Sequence, residues 1–201
     1  MKLLPTELAG VMIVEPAVFA DDRGWFMESW NQPRFDAALQ AAGLPVPRPF
    51  VQDNHSCSRA GVLRGLHYQL PPHAQGKLVR VVAGAAFDVA VDLRRGSPTF
   101  GRWTGVALSA ANRRQLWIPE GFAHGFVALE DDTHFLYKTT DLYAKDCECS
   151  LRWDDPALGI RWPLPAGLAA PLLAAGTRWQ AQAACSRLDS STMCCKPGSN
   201  R

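Results

Sequence analysis

A chain of 201 residues is long enough for one domain with a substantial core. Hydrophobic residues make up 47% and charged residues 20%, ordinary proportions for a globular protein, and a formal net charge of +2 argues against nucleic acid or a membrane surface as partner. No run of roughly eighteen apolar residues is present to cross a membrane, and the opening MKLLPTELAG lacks the long apolar stretch of a secretory signal. Of the six cysteines, Cys147 and Cys149 form a C-x-C pair with no second pair, a poor zinc signal. Reduced thiols in a cytoplasmic protein are the expectation.

In chain order, Val11 to Pro16 is an apolar run ended by proline, and Asp21-Asp22-Arg23-Gly24 is a turn signal. Pro33 to Ala42 predicts a helix, with Phe35, Ala38, Leu39 and Ala42 on one face and Gly43 as its stop. Lys77 to Ala83 and Ala86 to Leu93 predict two strands joined at Gly84. In the second, Phe87, Val89, Val91 and Leu93 share one face while Asp88, Ala90 and Asp92 share the other. After the Arg94–Pro98 loop, strands are predicted over Trp103–Leu108, Gln115–Ile118, Gly125–Leu129 and His134–Thr140. Many short strands with little helix argue for a β-sandwich or closed barrel. The chain changes character after Pro163. Residues 1–163 read as the domain, Leu164 to Ala184 as an Ala-rich segment with helical propensity, and the stretch from Ser186 as a disordered tail.

The most informative stretch runs from Gln52 to Lys77. It interleaves Gln52, Asp53, Asn54, His55, Arg64, His67, Gln69, His73 and Lys77 with Val62, Leu63, Leu66 and Tyr68, which suggests a sheet face lining a wet cavity, with His67 and Gln69 on one strand face. On a regular strand His67 and Arg64 point to opposite faces. Both reach one site only if the strand is bulged, and Gly65 is where a bulge is tolerated. On the residues alone, His67 is either a structural imidazole or a general base. Lys77 is either a solvated strand end or a donor to an oxyanion. Tyr137 is either core with a bonded hydroxyl or a neutral acid. Tyr143 is an exposed aromatic able to stack on a base. Pro119-Glu120-Gly121-Phe122-Ala123-His124 has the form that delivers a His to the interior of a jelly roll, but no His-x-His pair accompanies it, so no metal is expected. Phosphate-loop, dinucleotide-fold and nucleophile-elbow signatures are absent.

The stretches DDRGWFMESWN, FVQDNHS, GVLRGLHYQL, AQGKLVRVVAG, FDVAVDLRRGSPTFGRW, RQLWIPEGFAHGFVAL, LYKTTDLYA and LRWDDPALGIRWP, in this order, resemble the dTDP-4-dehydrorhamnose 3,5-epimerase family. The resemblance runs from about Gly10 to Pro163. It implies an all-β, cupin-type jelly roll, a homodimer, a dTDP-sugar as substrate and no cofactor or metal. It implies inversion of both carbons flanking the keto group of dTDP-4-dehydro-6-deoxy-D-glucose, on the route to dTDP-L-rhamnose. His67 would be the base, Tyr137 the acid and Lys77 the group facing the enolate oxygen. Arg23, Glu28, Gln52, Asn54, Arg64, His124 and Glu148 would hold sugar and diphosphate, with Tyr143 stacking on thymine. Alternatives are inversion of one carbon, ketoisomerisation, or sugar-nucleotide binding with impaired catalysis. One departure stands out. The family's S-x-K-D stretch, whose Asp pairs with the catalytic His, is replaced by Ala170–Thr177, with Thr177 the nearest positional match. Asp88, on a pocket-side strand face, is the candidate substitute; without one, low or altered activity is expected.

Overall fold

The computed structural model describes residues 1–174. Its strands are β1 (Lys2–Pro5), β2 (Met12–Glu15), β3 (Val18–Asp21), β4 (Gly24–Met27), β5 (Gln52–Ser58), β6 (Val62–Gln69) and β7 (Lys77–Ala83). They continue with β8 (Ala85–Asp92), β9 (Trp103–Ser109), β10 (Gln115–Ile118), β11 (Phe122–Ala128), β12 (Thr133–Thr139), β13 (Glu148–Ser150) and β14 (Leu172–Leu173). One helix, α1 (Gln32–Ala41), precedes β5, and a 3-10 turn, Lys145–Cys147, precedes β13. The first sheet has the order β1-β2-β10-β7-β12-β5, the second β13-β6-β11-β8-β9, and β3 and β4 form a separate hairpin. The pairings are antiparallel except that of β14 with β6. This is the expected all-β jelly roll, two sheets closed over a shared interior.

Alternation along the strands decides what fills that interior. Val79, Val81, Leu116, Ile118 and Phe135 of the first sheet meet Ala86, Ala90, Val106, Leu108, Phe122 and Phe126 of the second. Phe126 and Phe135 stack with ring centroids 3.9 Å apart. The opposite face of β8, with Phe87, Val89 and Val91, packs outward under Leu151, Leu158, Ile160 and Trp162. The indole N–H groups of Trp103 and Trp162 anchor that cover by donating to the Leu158 and Trp153 carbonyls at 2.9 and 3.0 Å. The outer face of the first sheet is closed by α1, which buries Phe35 and Leu39 against Met12, Val14, Leu78 and Trp117. Asn31 starts the helix, its side-chain oxygen accepting from the Arg34 N–H at 3.1 Å. Gly43 follows the last turn with φ +70°. No helix among the described residues is long and apolar enough to cross a membrane.

The helical expectation for Leu164–Ala184 fails over residues 164–174. These form turns and β14, whose Leu172 N–H donates to the Gly61 carbonyl at 2.8 Å while Ala174 N–H donates to Leu63 at 3.1 Å. Pro165 and Pro171 deny a helix its donors, and the open edge of β6 supplies acceptors instead. The rest of that segment, and the tail from Ser186, lie outside the described residues.

The feature that shapes the interior is a register change between β6 and β11. His67 faces His124, but Arg64 faces Phe126, so three steps on β6 span two on β11. The extra residue is the bulge expected at Gly65. Gly65 has φ +128°, and a Cβ there would lie 2.8 Å from the His124 carbonyl oxygen while colliding with the Gly125 backbone. Gly65→Ala should therefore cost about 2 kcal/mol or more, a fall in Tm of roughly 4–8 °C for a domain of this size, read by differential scanning calorimetry. An unchanged Tm would show that the bulge does not depend on the glycine.

Candidate active site

A cavity of about 260 Å³ opens at the polar end of the interior. From the second sheet it receives His67 and Arg64 on β6, His124 on β11 and Glu148 on β13. From the first sheet it receives Lys77 on β7 and Tyr137 on β12. His67 and Tyr137 thus approach one void from opposing sheets. The bulge at Gly65 is why Arg64 and His67 both reach it. Tyr143, on the loop after β12, stands exposed at the rim, and its hydroxyl donates to Glu148 Oε2 at 2.8 Å.

Burial sets the electrostatics. Lys77 is 8% exposed, and its Nζ donates to the His67 carbonyl at 3.3 Å. Desolvation pulls its pKa down to about 8, against the opposing pull of Asp88 and Glu148. Burial also raises Tyr137, so its hydroxyl stays protonated well above neutral pH, although Arg64 partly offsets this. Asp88 is fully buried, and its Oδ2 meets His124 Nε2 at 2.8 Å. Burial raises the Asp88 pKa, with His124 and then Lys77 acting in the other direction. The expected substitute for the family's dyad carboxylate is therefore engaged with His124; Thr177 lies outside the described residues. Among the described residues no three His, Cys, Asp or Glu side chains are grouped to hold a metal ion.

Four of the expected site residues lie elsewhere. Gln52 is one step removed: its Oε1 accepts from the Tyr143 N–H at 3.0 Å and its Nε2 donates to Asn54 Oδ1 at 2.9 Å. Asn54 sits opposite Tyr137 in register and borders a neighbouring void with Ser29 and Trp30. Arg23 is at the tip of the β3–β4 hairpin, its side chain 90% exposed and paired with Asp21 at 2.7 Å. Glu28 follows β4 and pairs with Arg34 of α1 at 3.1 Å. Neither lines the cavity of His67.

A family model described as dTDP-4-dehydrorhamnose 3,5-epimerase matches residues 5–193. The chain belongs to that family. Relatives called dTDP-4-dehydrorhamnose 3,5-epimerase include one from Shigella flexneri, 58% identical over 164 residues, which are 82% of this chain and 88% of that protein. Another, from Pseudomonas aeruginosa, is 59% identical over 164 residues, covering 82% of this chain and 87% of its own. Among solved structures, the dTDP-6-deoxy-D-glucose-3,5-epimerase from Legionella pneumophila, in complex with dTDP-4-keto-L-rhamnose, superposes with a TM-score of 0.79 at 47% identity, over 88% of this chain and 89% of that one.

Within the motifs shared with the epimerase family, the cavity also takes Gln69, which shares a strand face with His67, and two side chains given no role from the sequence, Gln75 and Ser56. Gln69 braces the Tyr143 loop: its Nε2 donates to the His73 and Leu142 carbonyls at 2.7 and 3.2 Å, and its Oε1 accepts from the Ala144 N–H at 2.8 Å. Gln75 adds a bond to the Asp141 carbonyl at 2.8 Å. Ser56 is also on the wall. The period of two that puts Gln69 with His67 would have pointed, from Asn54, to Ser56. A second, larger cavity of about 520 Å³ lies beside Trp117, but its arginines are already paired, Arg48 with Glu120 and Asp141, Arg94 with Asp92. Its lining carries no His, Lys or Tyr. For the His67 cavity, a 13C NMR titration of lysine-labelled protein should show one Cε signal, assigned by its loss in Lys77→Met, with a midpoint near 8 rather than the usual lysine range. A midpoint above about 10 would refute the burial argument.

Proposed function

We propose that the protein is a dTDP-4-dehydrorhamnose 3,5-epimerase acting on dTDP-4-dehydro-6-deoxy-D-glucose in dTDP-L-rhamnose synthesis. The observation that carries this reading is an imidazole and a protonated phenol offered to one cavity from two facing sheets, with a buried ammonium beside them. His67 takes the proton from a carbon next to the keto group. The electron pair of the C–H bond moves into the carbonyl, and the Lys77 ammonium faces the resulting enolate oxygen. Tyr137 delivers a proton to the opposite face of the same carbon. His67 then loses its proton to solvent and the Tyr137 phenolate regains one. Repetition at the second flanking carbon completes the double inversion, and the scheme uses no cofactor or metal. Arg64, His124 and Glu148 hold the sugar and diphosphate, with Gln52 and Asn54 extending that wall, and Tyr143 stacks on thymine.

The remaining assignments, Arg23 and Glu28, fit a homodimer. Their hairpin presents Phe19, Trp25 and Phe26 to solvent, more than half exposed each, a costly surface for an isolated protomer. Packed on a second copy, the hairpin would carry Arg23 to the partner's cavity. A cytoplasmic setting agrees with a nucleotide-sugar substrate and exposed Cys57.

In D2O, the authentic substrate should yield product carrying deuterium at both carbons flanking the keto group, read by proton NMR. His67→Ala should slow this about 10²- to 10⁴-fold. Absence of isotope uptake by the wild-type protein counts decisively against the proposal, and uptake with inversion at one carbon alone selects the single-carbon alternative. Mixed dimers formed from inactive Arg23→Ala and His67→Ala protomers should regain partial activity, because one site per dimer is then complete. No recovery in verified mixed dimers would place Arg23 outside the partner's site.

A further inference from the structure

Asp88 is a buried carboxylate with one satisfied oxygen. Its Oδ2 is bonded to His124 Nε2 at 2.8 Å, whereas Oδ1, equally buried, has no hydrogen-bond partner among the described residues. Nearby, Lys77 has its ammonium out of water with one hydrogen bond among the described residues, the 3.3 Å contact to the His67 carbonyl. An ammonium has three donors, so both groups are under-satisfied. Such an arrangement is an expensive way to build a core, since apolar residues of similar volume often do as well or better. Nor is a strut needed here. β8 and β11 are already paired without interruption from Asp92 opposite Phe122 to Ala86 opposite Ala128.

We propose that Asp88 is a positioning residue of the epimerase site: it fixes the His124 ring through Nε2 and offers its open Oδ1 as the counter-charge of the Lys77 ammonium within the cavity. The inference rests on the reading of the site given above. Neutral His124 with Nε2–H donated to Asp88 leaves Nδ1 as its remaining acceptor; once protonated, the same ring is a second cationic donor. The open valence at Oδ1 and the spare donors of Lys77 leave the ammonium free to turn toward an enolate oxygen when one forms, instead of being locked into a closed ion pair. Around this unit stand Lys77 on β7, His124 on β11, Arg64 and His67 on β6, Tyr137 on β12 and Glu148 on β13. Asp88 precedes Glu148 among the charges that hold the Lys77 proton.

The test is Asp88→Asn, which keeps an acceptor for His124 Nε2–H and removes the charge. In the free protein, the Lys77 13Cε midpoint should fall by about one unit, and it should fall less in Glu148→Gln. In kinetics, kcat should drop at least about tenfold with KM for the dTDP-sugar little changed, and the alkaline limb of kcat/KM should move down with the Lys77 midpoint. A midpoint that moves no further than in Glu148→Gln, or an unchanged kcat, overturns the proposal. If Asp88→Asn does not fold, Lys77→Met gives the reciprocal reading: the Asp88 13Cγ midpoint should rise, and a midpoint that stays put overturns it. The NMR arms need no turnover. A coupled Lys77 and Asp88 in a wild-type protein that shows no epimerisation refutes the proposed function, whereas uncoupled groups in an active enzyme refute this role for Asp88.

Discussion

The site depends on one backbone contact, the close approach of β6 and β11 at Gly65 and Gly125. A side chain at either position would meet the opposing backbone. The approach forces an extra residue into β6, and the extra residue turns Arg64 onto the face that already carries His67. Without it, the strand's period of two would send one of them outward, into the layer that holds Leu66 and Tyr68. A fold feature and a chemical one are therefore the same feature. The two sheets supply the walls, and the irregularity decides which functional groups share them.

Charge inside those walls has to be managed. The apolar half of the interior, with the stacked Phe126 and Phe135, abuts a polar half in which Lys77, Asp88 and His124 are each less than a tenth exposed. Low polarizability there raises the acid strength of the ammonium and lowers that of the phenol and the carboxyl. The ammonium is brought toward neutrality while the phenol is held protonated, so the cavity sets a cation able to titrate near neutral pH beside a standing acid.

Much of this was legible in the amino-acid sequence, for identifiable reasons. The alternation along β8 told the interior face of Asp88 and Ala90 from the outward face of Val89 and Val91, because pleating leaves no other choice. The bulge at Gly65 was legible because two polar side chains of opposite parity needed one face and a glycine stood between them. The helix carrying Phe35 and Leu39 was legible from its period. Long-range pairing was not. Nothing local says that β8 lies against β11, so the bond between Asp88 and His124 was out of reach, and Asp88 was expected to serve His67. Gln69 was legible as a neighbour of His67, but the bracing it and Gln75 give was not, because they bond backbone carbonyls of a loop some seventy positions away. The helix expected after Pro163 rested on alanine content, and it lost over residues 164–174 to two prolines and an open strand edge.

The bracing of the rim loop carries a further consequence. Three side-chain amides and the Tyr143–Glu148 bond secure the turn that bears the exposed aromatic ring. A flat ring docking on that shelf meets a surface already in place, so little chain entropy is surrendered on arrival. Under the role proposed for Tyr143, recognition at the entrance would work by fit to a standing template.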